Sequence, residues 1–173
     1  MNRRLVFPAL GMLALGILTK PVSAQTCTGN PCNVTTTATL TVVDVLRLTL
    51  DLTATNLGTP SEADFTAGNI LSVGPVATAK ANRPWTVSVQ STAAAFAYSG
   101  ALTDPVKPAS DLHWDTTVGG TYTNAMSTTA ATLKTGAATA GTSQGIFYKT
   151  LLSYLSDVTG SYALGVRFTL SAP

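Results

Sequence analysis

Charge is scarce in this chain. Only 10% of its 173 residues are Asp, Glu, Lys or Arg, where soluble proteins carry about 25%. That excludes the basic patch with which nucleic-acid binders displace counterions from phosphates. It does not signal disorder, because 45% of the residues are hydrophobic and disorder needs low hydrophobicity with high net charge. Histidine is scarcer still. His113 is the only one, so a nucleophilic triad built on histidine must run through it. It lies between Leu112 and Trp114 in an alternating stretch that points it away from those two neighbours, and no Gly-x-Ser-x-Gly elbow accompanies it. His113 reads as an ordinary strand residue, and no catalytic set is expected.

Glu62 is the sole glutamate and stands beside Asp64. Glycoside hydrolysis needs two acids opposed across a cleft at about 5 to 10 Å, and loop neighbours do not imply one. Asp104, Asp111 and Asp115 are the densest acidic group. Calcium takes about six to eight oxygens, usually from a compact Asp and Asn loop, whereas Leu112, His113 and Trp114 interrupt this one. These carboxylates are expected to be solvated turn residues, with no metal and no cofactor.

The two cysteines, Cys27 and Cys32, enclose Thr28-Gly29-Asn30-Pro31. The C-x4-C spacing lacks the second ligand pair of a tetrahedral zinc site. A small disulfide loop is the simplest expectation in an oxidising compartment. Such a compartment is indicated by the N-terminus. Asn2-Arg3-Arg4 is followed by an apolar run from Leu5 to Leu18 and by Val22-Ser23-Ala24, the n-region, h-region and small-residue pattern of a secretory signal peptide. Cleavage is expected before Gln25. The apolar run is short for a membrane span of about 20 residues, and Pro8 interrupts it. Removing residues 1–24 takes away Arg3, Arg4 and Lys20, so 7 of the 10 basic residues face all 8 acidic ones and the side-chain charge becomes −1. No later apolar run approaches a span, which predicts no transmembrane segment after processing.

What the chain has in quantity is alternation. Leu40, Val42, Leu46, Leu48, Leu50 and Leu52 share one parity, with Thr41, Arg47, Thr49 and Asp51 on the other. A period of two marks a half-buried strand. Asp44 falls on the inward parity, so a bulge, or a strand that switches sheets, is expected near it. Trp85, Val87 and Val89 alternate with Thr86, Ser88 and Gln90, and Pro84 suits a strand start. Tyr162, Leu164, Val166, Phe168 and Leu170 alternate with Ala163, Gly165, Arg167 and Thr169 and read as one strand. Further strands are expected at 70–76, 96–99, 112–116, 122–127 and 146–155. Residues 126–143, rich in Thr, Ala and Gly, read as two weak edge strands or a long loop. Only 92–97 and 146–155 leave room for a helical turn.

Short alternating segments separated by Gly, Pro and Asn predict an all-β fold, an immunoglobulin-like antiparallel β-sandwich. At this length one folded domain is expected. The chain divides into a signal peptide (1–24), a disulfide loop and lead-in (25–37) and a sandwich domain (38–173). Trp85, Trp114, Tyr98, Tyr122, Tyr148 and Tyr154 are the aromatics that could stack on a sugar. Parity assigns Trp85 to the core, and Trp114 and Tyr122 are the candidate ligand-facing pair.

Trp85-Thr86-Val87, with Tyr162 to Leu170 and Pro173 far downstream, resembles the WxL surface-domain family. That family has an early Trp-x-Leu and a late tyrosine strand that ends in Trp-x-Leu before a proline. The corresponding residues here are Trp85 and Val87, then Tyr162, Phe168 and Leu170. The resemblance implies a secreted all-β module attached non-covalently to the cell envelope, with envelope polysaccharide or surface proteins as partners. The chain is also similar to pilin-like and spore-coat-U-like sandwiches, which implies subunits of one kind joined by strand donation. The threonine-rich segment Asn33–Val43 is the candidate donated strand. The expected function is a secreted, non-enzymatic surface or envelope protein with a structural or adhesive role. The alternative is a pilin-like or coat subunit.

Overall fold

The computed structural model describes residues 25–173. The expected signal peptide, 1–24, lies outside the described residues. The chain divides into two units, one ending at Thr41 and a compact one from Val42 to Pro173. In the first, Cys27 and Cys32 are disulfide-bonded. Residues 33–41 form neither helix nor strand, and their side chains are exposed.

The compact unit is almost entirely β-structure. Its strands are β1 (Leu46–Leu50), β2 (Asn69–Ala81), β3 (Trp85–Ser91), β4 (Ala97–Ser99), β5 (Leu112–Asp115), β6 (Asn124–Ala125), β7 (Ala131–Gly136), β8 (Thr139–Leu151), β9 (Ser161–Ala163) and β10 (Val166–Ser171), with one α-helix, α1 (Glu62–Ala67), and a short 3-10 turn (Ala109–Asp111) before β5. Every pairing is antiparallel. The strand order is β1-β2-β8-β5-β6 in the large sheet, β10-β3-β7 in the second and β4-β9 in a two-stranded ribbon. The sheets pack over a shared core of Ala77, Ala79, Trp85, Val87, Val89, Leu112, Trp114, Ile146 and Tyr148. The all-β sandwich expected from alternation is the fold observed.

The long β2–β8 pair forms the middle of the large sheet, and its register slips twice, once in mid-strand and once near the end, between Ala79 and Ala81. The mid-strand slip bends the pair between Val73 and Val76, where Gly74 and Pro75 sit. Proline has no N–H for a ladder and is tolerated at such a bulge. Any side chain at Gly74 would meet the Tyr148 ring at 2.5 Å and Ile146 at 2.8 Å. Asp51 repairs the ladder beside the bend. Its carboxylate accepts the Val76 N–H at 2.6 Å, and its own N–H donates to the Val76 carbonyl at 3.3 Å.

Several expectations are corrected. The strand expected from residue 40 begins only at Leu46, and there is no bulge at Asp44. Asn82 ties this stretch instead: its amide oxygen accepts the Val45 N–H at 2.9 Å and its amide nitrogen donates to the Val43 carbonyl at 2.7 Å. Asp44 pairs with Arg83 at 2.6 Å. The single strand expected over 162–170 is two strands in two different sheets. The corner between them is held by Gly165, whose carbonyl accepts the Thr92 N–H at 2.8 Å. Within 126–143, β7 is an edge strand as expected, but the residues from Thr139 begin a central one. The helix lies where a loop was expected. Ser61 and Asp64 form a capping box, each side chain taking a backbone N–H of the other, and these bonds hold the Asp64 carboxyl below its ordinary range. Gly68, at φ 70°, closes the helix in the left-handed conformation that glycine adopts without steric cost.

Two outcomes follow from this core. Ile146 is 0% exposed, so Ile146→Ala is expected to cost about 2–5 kcal/mol in urea unfolding, from lost burial and the cavity left behind. Burial raises the Tyr148 hydroxyl above its ordinary range, and burial with the nearby Asp157 charge raises that of Tyr162. Both groups hold their protons more tightly in the folded state, so this stabilisation is complete below about pH 10 and is lost as pH rises beyond it. In a native alkaline titration followed by tyrosinate absorbance, Tyr148 and Tyr162 should ionise late, and unfolding in denaturant should remove that delay.

Candidate functional site

The interior is not closed equally on all sides. On β3, Trp85, Val87, Val89 and Ser91 are fully buried. On the neighbouring β10, the inward residues Val166, Phe168 and Leu170 are only half-buried, as are Leu48 and Leu50 on β1. β1 and β10 are both edge strands, and among the described residues each pairs with a single neighbour. Between them runs a cleft of about 520 Å³ whose apolar lining includes Leu50, Leu112, Tyr148, Leu164, Val166 and Phe168. It meets a second cleft of about 550 Å³ at Leu57, Gly58 and Tyr162. The second is lined by Phe65, Ile70, Phe96 and Leu152, and also by Lys107, Thr150 and Asp157. The Thr150 hydroxyl is buried without a hydrogen-bond partner. Together the clefts form an apolar groove along an open seam of the sandwich.

The unit that ends at Thr41, with the first residues after it, carries a matching pattern. Val34, Ala38, Leu40 and Val42 share one parity, interrupted by Thr36, and Thr35, Thr37, Thr39 and Thr41 the other. That is the periodicity of a strand with one apolar face. Yet no strand forms there, and Leu40 is 85% and Val42 71% exposed.

At one wall of the groove a charged cluster is sealed in. The Lys107 and Asp157 side chains are 4% and 6% exposed. The Lys107 amine donates to Asp157 Oδ1 at 2.8 Å and Oδ2 at 2.9 Å, to Asp111 Oδ2 at 3.1 Å and to the Leu151 carbonyl at 2.7 Å. Asp157 Oδ2 also accepts the Ser153 N–H at 2.9 Å. The turn that aims Lys107 inward is strained. Val106 sits at φ 55°, a left-handed conformation costly for a β-branched residue, and the Asp104 carboxylate holds it by accepting its N–H at 2.8 Å. Removing one partner from such a cluster leaves a buried uncompensated charge, at a cost of about 3–5 kcal/mol.

The residues singled out from sequence are distributed otherwise. Trp85 is buried, and its indole N–H donates to the Ala137 carbonyl at 2.7 Å. The two segments of the WxL-like pattern lie side by side, with Phe168 opposite Val89 and Leu170 opposite Val87. Tyr162 is apart from them on β9, donating its hydroxyl to the Val158 carbonyl at 2.8 Å. The pair Trp114 and Tyr122 is corrected as ligand-facing: Trp114 is 3% and Tyr122 7% exposed, Trp114 because it lies on the core-facing parity of β5 with Leu112. Among the other aromatics, Tyr148 is buried and Tyr154 is exposed, stacked on Phe65. His113 Nδ1 is 2.7 Å from the Tyr122 carbonyl. Asp115 folds its own turn, and the N–H groups it accepts, led by that of Thr117, hold its carboxyl below the ordinary range. Asp111, expected as a solvated turn residue, belongs to the lysine cluster. Sequence reading missed that cluster. Its partners lie 4 and 50 residues from Lys107, and no local pattern joins them.

Among the described residues, no helix is long and apolar enough to cross a membrane. Comparison with protein-family models, with curated proteins and with solved structures finds no match.

Proposed function

We propose that this chain is an exported, non-enzymatic structural subunit that builds a surface fibre or coat by strand donation, with residues 33–43 of one copy seated in the groove of the next beside β10. The observation that carries this reading is an apolar groove flanked by two edge strands, in a chain that also carries an unpaired alternating segment. Seated with its even-numbered residues inward, the segment places Val34, Ala38, Leu40 and Val42 on the half-covered side chains of β10 and β1. Thr35, Thr37, Thr39 and Thr41 then face solvent, and Thr36 alone of the threonines turns inward. Burying a Val or Leu side chain is worth about 1.5–3 kcal/mol, and the free N–H and C=O groups of an edge strand provide the backbone pairing. The signal-peptide pattern and the disulfide support export through an oxidising compartment. Attachment to envelope polysaccharide, which the WxL resemblance implies, draws no contact surface from Trp85, since that side chain is in the core.

The test uses the chain recovered from the secreted fraction. Sizing and electron microscopy should show linear or layered polymers, and deletion of 33–43 should leave folded monomers. Leu40→Asp changes an exposed side chain, so the fold is retained, while association should weaken about 10- to 100-fold by loss of one buried leucine. An intact chain that remains monomeric at high concentration overturns the reading.

A further inference from the structure

The lysine cluster holds the parts of a bond-forming reaction, and this inference is independent of strand donation. From this geometry we infer that Lys107 and Asp157 become joined in the folded protein by an intramolecular amide between Nζ and Cγ, with Asp111 as the proton carrier. Three observations lead there. The amine faces both oxygens of the Asp157 carboxyl, at 2.8 and 2.9 Å, which brings it opposite the carbon between them. Both side chains are almost wholly removed from solvent, so water competes poorly for that carbon. A second carboxylate, Asp111, touches the same amine at 3.1 Å.

The surrounding groups match the needs of each stage. Asp111 takes one proton from Nζ, and rotation of the Asp157 carboxyl about Cβ–Cγ turns its face to the freed lone pair. As the N–C bond forms, negative charge gathers on Oδ2, where the Ser153 N–H already donates at 2.9 Å and stabilises it in the manner of an oxyanion hole. Oδ1 collects two protons, both originating on the ammonium and the first of them relayed by Asp111, and leaves as water. The amide nitrogen keeps one hydrogen, directed at the Leu151 carbonyl, which Nζ already approaches at 2.7 Å. An ammonium and a carboxylate thus become an amide and one water, with no oxidant, metal or nucleotide consumed. The driving advantage is positional: effective molarities of about 10⁵–10⁸ M are reached when reacting groups are held at contact distance. The strained Val106 turn and the Ser153–Asp157 turn hold the two sides.

Intact-mass measurement of the full secreted chain tests this directly. Beyond the change due to the disulfide, the mass should be lower than the sequence requires by one water. Digestion and fragmentation should give a branched peptide joining Lys107 to Asp157. Cyclisation of an N-terminal Gln25 is distinguished because it removes ammonia and leaves no branch. Lys107→Arg should restore the full mass, and Asp111→Asn should slow or abolish the loss while circular dichroism remains that of a β-protein. A wild-type chain at full mass with no branched peptide overturns the proposal, whatever the variants do. A bond that forms undiminished in D111N overturns the role assigned to Asp111.

Discussion

The antiparallel pairing of β2 with β8 is the constraint from which the remainder of the sandwich is set out. Both are 13-residue strands, and β1 and β5 take their places from the outer edges of this pair. Because side chains alternate along a strand, the register on each side of the bend decides which residues face inward: Leu71 and Val73 are exposed before it, whereas Ala77, Ala79 and Ala81, of the same parity, are buried after it. The bend at Gly74-Pro75 falls in the middle of the pair. It uses the one residue without a side chain and the one without an N–H, and Asp51 satisfies the backbone group the bend releases. The same bend brings Pro75 to the lining of the groove beside Tyr148. The large sheet therefore shapes one wall of the cleft through its own irregularity.

The groove and the lysine cluster are two responses to the same shortage. The second sheet has only three strands, against five in the first, so its β10 edge leaves core residues half covered. At one end this gap is filled by loops, 100–111 and 152–160, that are too polar to pack as a strand does. Their contribution is a buried cation with three acceptors rather than an apolar layer. Along the remainder the gap stays open except where β1 and β10 approach each other directly. A chain that carries an alternating segment with no sheet to join has within itself the chemical complement of that opening.

How much of this was legible depended on side-chain size. β3 could be read because Trp85, Val87 and Val89 are large and their neighbours polar. The second half of β2 could not. Its inward residues are Ala77, Ala79 and Ala81, little different in bulk from the threonine and lysine between them. The leucine run from 40 was read as too long a strand, since alternation reports the capacity to pair and not the presence of a partner. β9 and β10 share an unbroken parity, so the change of sheet at Gly165 left no mark in the pattern. The helix was signalled by Ser61 and Asp64, but at six residues it shows too little of the 3.6 period to stand out. Of the candidate site, the alternation over residues 34–42 was visible in advance. The groove was not, because it is a property of sheet edges. Neither was the Lys107 cluster, whose members come from separate loops.

The exterior of the long strands has a further effect. Across β2 and β8 one outward pair meets as hydroxyls, Thr78 against Ser143 at 2.8 Å, while Lys149 lies opposite Leu71 and, on the β1 side, Arg47 opposite Lys80. Counterion screening acts on charge and leaves neutral dipoles and apolar contacts almost untouched. The hydroxyl pair is therefore nearly indifferent to salinity, whereas Arg47, Lys80 and Lys149 on the same face repel one another less as salt screens them, so contacts made by this face hold at least as well in concentrated as in dilute salt.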